Sequence, residues 1–385
     1  MKIKKYNIFL ESIKKDIYDI IPQSVKDINI IFKRNDRKLY LVGGAVRDFL
    51  NNEDPKDFDL CTDATPDEIL NILKDYRTNQ QGKSFGVIVV YTKDQVEGME
   101  IATFREDIYG DKLGVTRNPD VKFSTIDKDV LRRDIPFNAM FYDLDKKEIV
   151  DLVGGQDDIK NKITRFVGNP DDRIEEDPLR ILRLLRFSCR YDFAIDNITK
   201  ESILKNKDKL SIITRERVYD ELKKSWKQSK DFNNYLNYIT EFDMWDQVFP
   251  GANINTKLVD SDSFLITITN LFANENTNRL ETRLVQSYKI QSEIAVKIVF
   301  LLNMSNLTED NVFDFYKKKV QSFVTNEMII EWMRVKNIKS NIYTAFTKYK
   351  PVVSADELMQ QGFKPGRELG LEIKRLETEN FRKLL

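Results

Sequence analysis

Between residues 39 and about 150 the apolar positions come in short runs, at 39–42, 58–61, 87–91, 99–104 and 140–143, set among polar and glycine-containing stretches. Runs of that length, rich in Val, Ile, Phe and Tyr, predict strands, and the pattern over 66–76 predicts a helix opened by Pro66. Beyond Gly154-Gly155 the texture changes. Apolar residues then fall three and four apart almost to the end, as in Ile181, Leu182, Leu184 and Leu185 and again in Ile298, Leu301 and Leu302. That spacing is the stripe of an amphipathic helix. A mixed α/β N-terminal part followed by an all-α remainder is therefore expected. Residues 1 to about 35 read as one or two lysine-rich helices ahead of it, and Pro250-Gly251 within 249–259 marks a break between helical groups.

With 385 residues, 41% of them hydrophobic and 32% charged, the chain has material for two or more domains with a sizeable core. No run of about 18 apolar residues is present, so no membrane span is expected. The start, Met1-Lys-Ile-Lys-Lys, soon meets Glu11 and Asp16 without a signal-peptide core, and a cytoplasmic location is the expectation. Cys61 and Cys189 are too few for a disulfide framework or a cysteine metal centre and are expected as small buried thiols. The chain has no histidine. That excludes His-based triads and His-ligated zinc and leaves carboxylates to hold any metal. Lys and Arg together number 62, as do Asp and Glu, so any basic track for a nucleic acid must be local. Candidates are Lys317-Lys318-Lys319, residues 334–350, and Lys374, Arg375, Arg382 and Lys383; each also reads as a solvated helix face.

The densest chemistry sits early. Leu41-Val-Gly-Gly-Ala-Val-Arg-Asp48 is followed by Asp57-Phe58-Asp59, which reads as strand, tight turn, helix and second strand. Period 2 on that second strand puts Asp57 and Asp59 on one face. Two carboxylates side by side repel unless something divalent sits between them, and oxygen-only ligands favour Mg²⁺, with Mn²⁺ as the alternative. Gly43 and Gly44 let the backbone approach an anion, and the helix that follows offers unpaired N–H groups to phosphate. Either piece alone is ordinary; the ordered combination points to metal-assisted phosphoryl or nucleotidyl transfer. Gly82-Lys83-Ser84 is not a phosphate-cradling loop, because Arg77 stands where such a loop needs glycine. It reads as a turn entering the run at 87–91.

Further along, Arg132-Arg133-Asp134 precedes Ile135-Pro136-Phe137-Asn138. Guanidinium forks suit a triphosphate, and an aspartate suits a ribose hydroxyl. In Arg173-Ile-Glu-Glu-Asp-Pro-Leu-Arg-Ile-Leu-Arg-Leu-Leu-Arg-Phe187, Asp177 is placed as N-cap and Pro178 at the first helical position. Asp177 and Arg180 then share one face. On spacing alone this pair also reads as an intrahelical ion pair.

These pieces, together with Asp151-Leu-Val-Gly-Gly-Gln-Asp-Asp158, Glu176-Asp177-x-x-Arg180, Arg215-Glu-Arg217 and the terminal Gly362-Phe-Lys-Pro-Gly-Arg-Glu-Leu-Gly370, resemble the class II tRNA nucleotidyltransferases over nearly the whole chain. These are the CCA-adding enzymes and their relatives, the bacterial poly(A) polymerases. The resemblance implies an α/β head with a polymerase β-like nucleotidyltransferase mixed sheet, followed by an all-α neck, body and tail. It divides the chain into a head with an N-terminal helical extension at 1–150, a neck carrying a nucleobase-reading helix at 151–225, a body at 226–300 and a tRNA-binding tail at 301–385.

The resemblance also implies roles. Asp57 and Asp59 bind the catalytic Mg²⁺, and Glu100 corresponds to a third carboxylate, although it reads equally as an exposed strand glutamate. Gly43, Gly44, Arg47, Asp48, Arg132, Arg133, Asp134 and Asn138 serve the triphosphate and ribose. Asp177 and Arg180 read the base, with Arg183 and Arg186 on the same helix, and residues 215–221 lie on a supporting helix. Cytosine and adenine each place an exocyclic amino donor beside an unprotonated ring nitrogen, so a carboxylate next to a guanidinium can pair with either; uracil and guanine reverse that order. CTP and ATP are the implied substrates and the tRNA acceptor arm the implied partner, the protein acting as monomer or homodimer. The loop at 105–117 resembles the one CCA-adding enzymes use to switch from C to A. Two departures stand out: Ile135-Pro136-Phe137 replaces the usual Phe-Thr-Ile, and the loop lacks the usual Arg-Arg-Pro. The alternatives are a poly(A) polymerase, a partial CC- or A-adding enzyme and, from another class, a noncatalytic tRNA-binding protein.

Overall fold

The computed structural model describes residues 16–109, 120–257, 259 and 261–385. Residues 1–15 of the helical stretch expected up to about residue 35, and residues 110–117 of the expected switching loop, lie outside them; within the described part of that stretch Ile17–Ile20 and Gln23–Arg34 are helical. The chain divides into two compact units, the first reaching to Ile213 and taking in Gln228–Lys230, the second formed by Thr214–Lys227 and Asp231–Leu385.

The first unit contains the strands β1 (Leu39–Val42), β2 (Leu60–Thr62), β3 (Arg77–Asn79), β4 (Val87–Tyr91), β5 (Met99–Thr103), β6 (Arg105–Ile108), β7 (Asp120–Phe123), β8 (Phe141–Asp143), β9 (Glu148–Val150), β10 (Ile163–Thr164) and β11 (Ala194–Ile195). Seven of them form a sheet in the order β3-β4-β5-β2-β1-β8-β9. The β2–β5 pair is parallel and the other neighbours run antiparallel, so the sheet is mixed as expected. All four β1 residues are buried, the mark of a central strand covered on both faces, whereas β4 alternates between buried and half-buried. The helix Pro66–Ile72 starts at a capping box between Thr65 and Glu68. Residues 82–86 form a short turn, Lys83–Phe85 closed by Gly86 at φ +80°, leading into β4.

One face of the sheet rests on Tyr40, Phe104 and Phe141, whose ring centroids lie 5.6 to 6.3 Å apart, with Cys61, Val130 and Val167 around them. Cys61 and Cys189 are both buried free thiols. The helix Arg180–Tyr191 buries Ile181, Leu182, Leu184 and Leu185, the stripe its spacing predicts. Phe137, in the short turn Pro136–Asn138, is enclosed by Phe187, Tyr191 and Phe193 at 6.1, 5.8 and 5.7 Å, which locks that turn onto this helix. Asp151 folds the next turn by accepting backbone N–H bonds from Val153, Gly154, Gly155 and Gln156 at 2.8 to 3.2 Å. There Gly155 presses so close that a Cβ would lie 2.5 Å from the Pro136 carbonyl oxygen. The Asp151–Asp158 motif thus holds the 136–138 turn in place.

In the second unit, helices that include Phe264–Leu271, Ser292–Asn303, Val312–Gln321, Asn326–Val335, Asn341–Lys348 and Arg367–Arg382 surround Ile266, Leu301, Met304, Trp332, Phe346 and Phe381. Ile298 and Leu301 are buried as their spacing predicts. Glu377 is wholly buried and accepts from Tyr349 Oη at 2.7 Å and from the N–H groups of Val352 and Val353 at 2.7 and 2.6 Å, fastening the last helix. Among the described residues no helix is long and apolar enough to cross a membrane.

Candidate active site

At the end of β1 the chain turns on Gly43, whose φ of +67° an L side chain adopts only with strain, into the helix Gly44–Leu50. The Gly43 N–H donates to the Met140 carbonyl at 3.1 Å. A Cβ there would sit 3.4 Å from the Asn138 carbonyl oxygen and 3.9 Å from the Arg133 guanidinium. The turn is therefore pinned between residues 138–140 and Arg133.

Asp57 and Asp59 lie in the chain leading into β2 rather than on it: β2 begins at Leu60, although the Val42 N–H still donates to the Asp59 carbonyl at 2.9 Å. Leu60 pairs with Ile101 in the parallel register, and both are buried. Asp59 and Glu100, one residue earlier on each chain, are exposed and by period 2 share the opposite face. Desolvation by the surrounding protein, then Glu100, then Asp57 raise Asp59 to about 6 against the pull of Arg133, although more than a third of the residue stays open. The Asp57 charge adds to this rise, after burial and Glu100. Among the described residues no group of three or more His, Cys, Asp or Glu could hold a metal ion by itself. Carboxylate oxygens in this number suit Mg²⁺ only as it commonly binds, through one or two carboxylates with substrate phosphates and water completing the shell.

Arg132 and Arg133 follow the helix Ile126–Leu131. Both donate to Asp129, which is wholly buried: Arg132 Nε at 2.8 Å, Arg133 Nε and a terminal nitrogen at 2.9 and 2.7 Å. Burial alone would raise Asp129, but Arg133 and Arg132 hold it below the usual carboxylate range. Arg133 also lies 4.9 Å over the Phe141 ring and donates to Cys61 Sγ at 3.5 Å. Burial pushes the Cys61 thiol up to about 12. Asp134 accepts from Arg183 Nε at 2.8 Å, from a terminal Arg183 nitrogen at 2.6 Å and from the Ile135 N–H at 2.9 Å. Burial would raise it, yet the Arg183 guanidinium holds it at about 2.

Arg47 and Asp48 are buried. Arg47 donates to Asp48 at 2.8 Å and to Asn138 Oδ1, and its guanidinium stands 5.3 Å from the rings of both Phe187 and Tyr191. Asp48 accepts from Tyr191 Oη at 2.6 Å and from Arg190 at 3.3 Å. This network ties the helix behind the glycine turn to the helix Arg180–Tyr191.

Asp177 caps the C-terminus of the helix Pro170–Glu176, and the next helix starts at Arg180 rather than at Pro178. A residue before proline is pushed out of the helical region, and Asp177 is extended at φ −153°. Its carboxylate accepts the Leu179 N–H at 3.2 Å, so it caps the bend. Arg180 is buried. It pairs with Glu176 and donates to the carbonyls of Arg132 at 3.0 Å and Arg173 at 3.2 Å and to Tyr109 Oη at 3.3 Å. Arg186 donates to Gln228 Oε1 at 2.6 Å. Asp129 joins the site although the sequence reading gives it no role; its spacing to the two arginines is the available signal. Glu176, within the Glu176-Asp177-x-x-Arg180 motif, and Tyr109, within the loop at 105–117, join it without having been singled out.

In the basic tracks of the second unit four side chains pair with local acids: Lys374 with Asp314 at 2.6 Å, Arg375 with Glu372 at 2.7 Å, Arg382 with Glu309 at 2.7 Å and Arg334 with Glu331 at 2.6 Å. Arg215 donates to the Gln247 carbonyl within the same unit.

A mixed sheet that brings an aspartate pair, a Gly-Gly turn and an arginine pair together, joined to a helical remainder, is the architecture of a nucleotidyltransferase. A model of the poly A polymerase head domain matches residues 39–165, and one of a probable RNA and SrmB-binding site of polymerase A matches residues 192–254. The CCA-adding enzyme of Bacillus subtilis (strain 168) is 40% identical over 186 residues, 48% of this chain and 45% of that protein, so the match spans about half the length of that relative. The CCA-adding enzyme of Ligilactobacillus salivarius is 30% identical over 367 residues, 88% of this chain and 87% of that one. Among solved structures, the Bacillus stearothermophilus CCA-adding enzyme in complex with CTP has the same fold, with a TM-score of 0.72 over 94% of this chain and 93% of that one at 20% identity. The chain belongs to the family of CCA-adding tRNA nucleotidyltransferases and bacterial poly(A) polymerases.

Proposed function

We propose that this protein is a template-independent CCA-adding enzyme of the cytoplasm, adding C, C and A from CTP and ATP to the tRNA 3′ end. The observation that carries the reading is the convergence on Arg133, whose guanidinium stands beside the Gly43 turn and pulls on the Asp59 carboxylate. A triphosphate laid along the turn places its α-phosphorus near the acids. There the RNA 3′-oxygen attacks phosphorus, the bond to the bridging oxygen of the β-phosphate breaks, and pyrophosphate leaves. Mg²⁺, or Mn²⁺ in its place, held by Asp57 and Asp59 with Glu100 on the same face, would supply Lewis acidity at the 3′-hydroxyl and the phosphates. Arg132 and Arg133 offer N–H groups to the triphosphate, and Asp134 and Asn138 border the ribose.

Asp177 and Arg180 read the base. The Arg180 bonds to the Arg173 carbonyl and to Tyr109 are the longest it makes, and these are the two a cytosine or adenine edge replaces. A uracil or guanine edge leaves a buried donor unmatched, at about 1–3 kcal/mol, so selection needs no nucleic-acid template. In this reading residues 1–150 are head, 151–225 neck, 226–300 body and 301–385 the tail that grips the tRNA acceptor arm, and the loop at 105–117 serves the switch from C to A. Poly(A) synthesis is the second reading, favoured by the match of residues 39–165 to a poly A polymerase head.

Asp59→Asn tests the chemistry when turnover and tRNA binding are measured side by side. Turnover should fall by orders of magnitude with tRNA affinity kept. Undiminished turnover would remove the acids from the reaction, and a wild-type protein that binds tRNA but never extends it would be a binding protein.

A further inference from the structure

Asp129 is a buried carboxylate that none of the roles above uses. It lies on the helix Ile126–Leu131 with no exposed surface, where an unpaired charge would cost several kcal/mol. Its two oxygens divide their partners. Oδ1 accepts from Arg132 Nε at 2.8 Å and from the Arg105 N–H at 3.2 Å, and a terminal Arg132 nitrogen forms an ion pair with it at 2.8 Å. Oδ2 accepts from Arg133 Nε at 2.9 Å and a terminal nitrogen at 2.7 Å. One carboxylate thus grips two guanidinium forks along their Nε edges.

The grip decides which way each fork points. Arg133 is held at the side by Asp129, from below by Phe141 and Cys61, and the nitrogen left over, Nη1, is the one that lies beside Gly43. A guanidinium fixed by a bidentate pair loses little further freedom when it binds phosphate, so preorganisation converts into affinity. Freed from the grip, Arg133 would sample rotamers that turn this edge away from the glycine turn.

We infer that Asp129 is the positioning residue of the nucleotide site, orienting Arg133 so that its outer N–H group meets the triphosphate. The inference rests on the proposed nucleotide site but assigns it a residue that acts only through that arginine.

The test is the KM for CTP, the KM for tRNA and kcat of Asp129→Asn, with equilibrium CTP binding measured separately. Asn keeps one acceptor and loses the charge and one grip, so the KM and the dissociation constant for CTP should rise about tenfold or more, with the KM for tRNA unchanged. A carboxylate serving stability alone would lower kcat through the folded fraction and leave the KM for CTP where it was, and that result overturns the inference. Should the Asn variant not fold, Asp129→Glu retains the charge in a displaced position and should shift the KM for CTP in the same direction. In an Arg133→Gln background, Asp129→Asn should change the CTP affinity less than twofold further; full additivity also overturns the inference. A wild-type protein that neither binds nor incorporates CTP would instead remove the proposed function, and with it the site Asp129 serves.

Discussion

Replacing Asp134 with Asn isolates one buried charge whose contribution can be worked through. The carboxylate of Asp134 receives two bonds from Arg183 at 2.8 and 2.6 Å and one from the Ile135 N–H at 2.9 Å. Its pKa stands at about 2 against an ordinary 3.8, because Arg183, helped by Arg180 and Arg186, outweighs burial. That difference corresponds to about 2.5 kcal/mol of stability at neutral pH. Since the folded value is the depressed one, the contribution is complete above about pH 4, about half remains at pH 3, and it is lost as pH falls through 2. Asn preserves the shape and an acceptor but carries no charge. Urea unfolding of both proteins at pH 7, 5 and 3 should give a stability gap of about 2–3 kcal/mol at pH 7 and 5 that narrows by about 1 kcal/mol at pH 3. Far-UV circular dichroism is the suitable signal, because Trp226, Trp245 and Trp332 all belong to the second unit. A gap as wide at pH 3 as at pH 7 would refute the reasoning, since Arg183 would then not be holding that charge.

Gly43→Ala should cost about 1–2 kcal/mol through its positive φ, readable as a lower melting temperature, and should weaken CTP binding by distorting the turn that faces the triphosphate; unchanged CTP affinity would take the turn out of the nucleotide site. Asp158 behaves oppositely to Asp134. Burial lifts it to about 6 despite the bond from Arg165, and its Oδ2 has no partner among the described residues. A raised acid favours the folded state at low pH and loses that advantage as pH rises from about 4 to about 6. Asp158→Asn should therefore raise the melting temperature at pH 8 and not at pH 4, by no more than about 3 kcal/mol in stability. An equal effect at both would contradict this.

Much of the fold was legible because hydrophobic period encodes burial directly. β1 and β4 run over the residues their apolar runs predict, and Ile181, Leu182, Leu184 and Leu185 form the buried stripe of their helix. Short strands such as β3, β9, β10 and β11 have two or three residues and exist through pairing with distant chain, which local pattern does not carry. The site divides the same way. Aspartate spacing announced mutual repulsion; Asp59 is raised mainly by burial, with Glu100 and then Asp57 adding to it. Arg47 and Asp48 looked like open ligands because their partners, Tyr191 and Phe187, lie far along the chain. Asp177 and Arg180 were expected on one helix, but the proline between them bends the chain, so Arg180 pairs with Glu176 and Asp177 caps the bend.

The central claim is tested most directly by extending a labelled tRNA lacking its 3′ end, with Mg²⁺ and CTP, ATP, both, or UTP and GTP, resolved one nucleotide at a time. The account predicts two C with CTP alone, two C then one A with both and no further growth, and nothing with UTP and GTP. A long A ladder with ATP and little C from CTP would contradict it and make the protein a poly(A) polymerase.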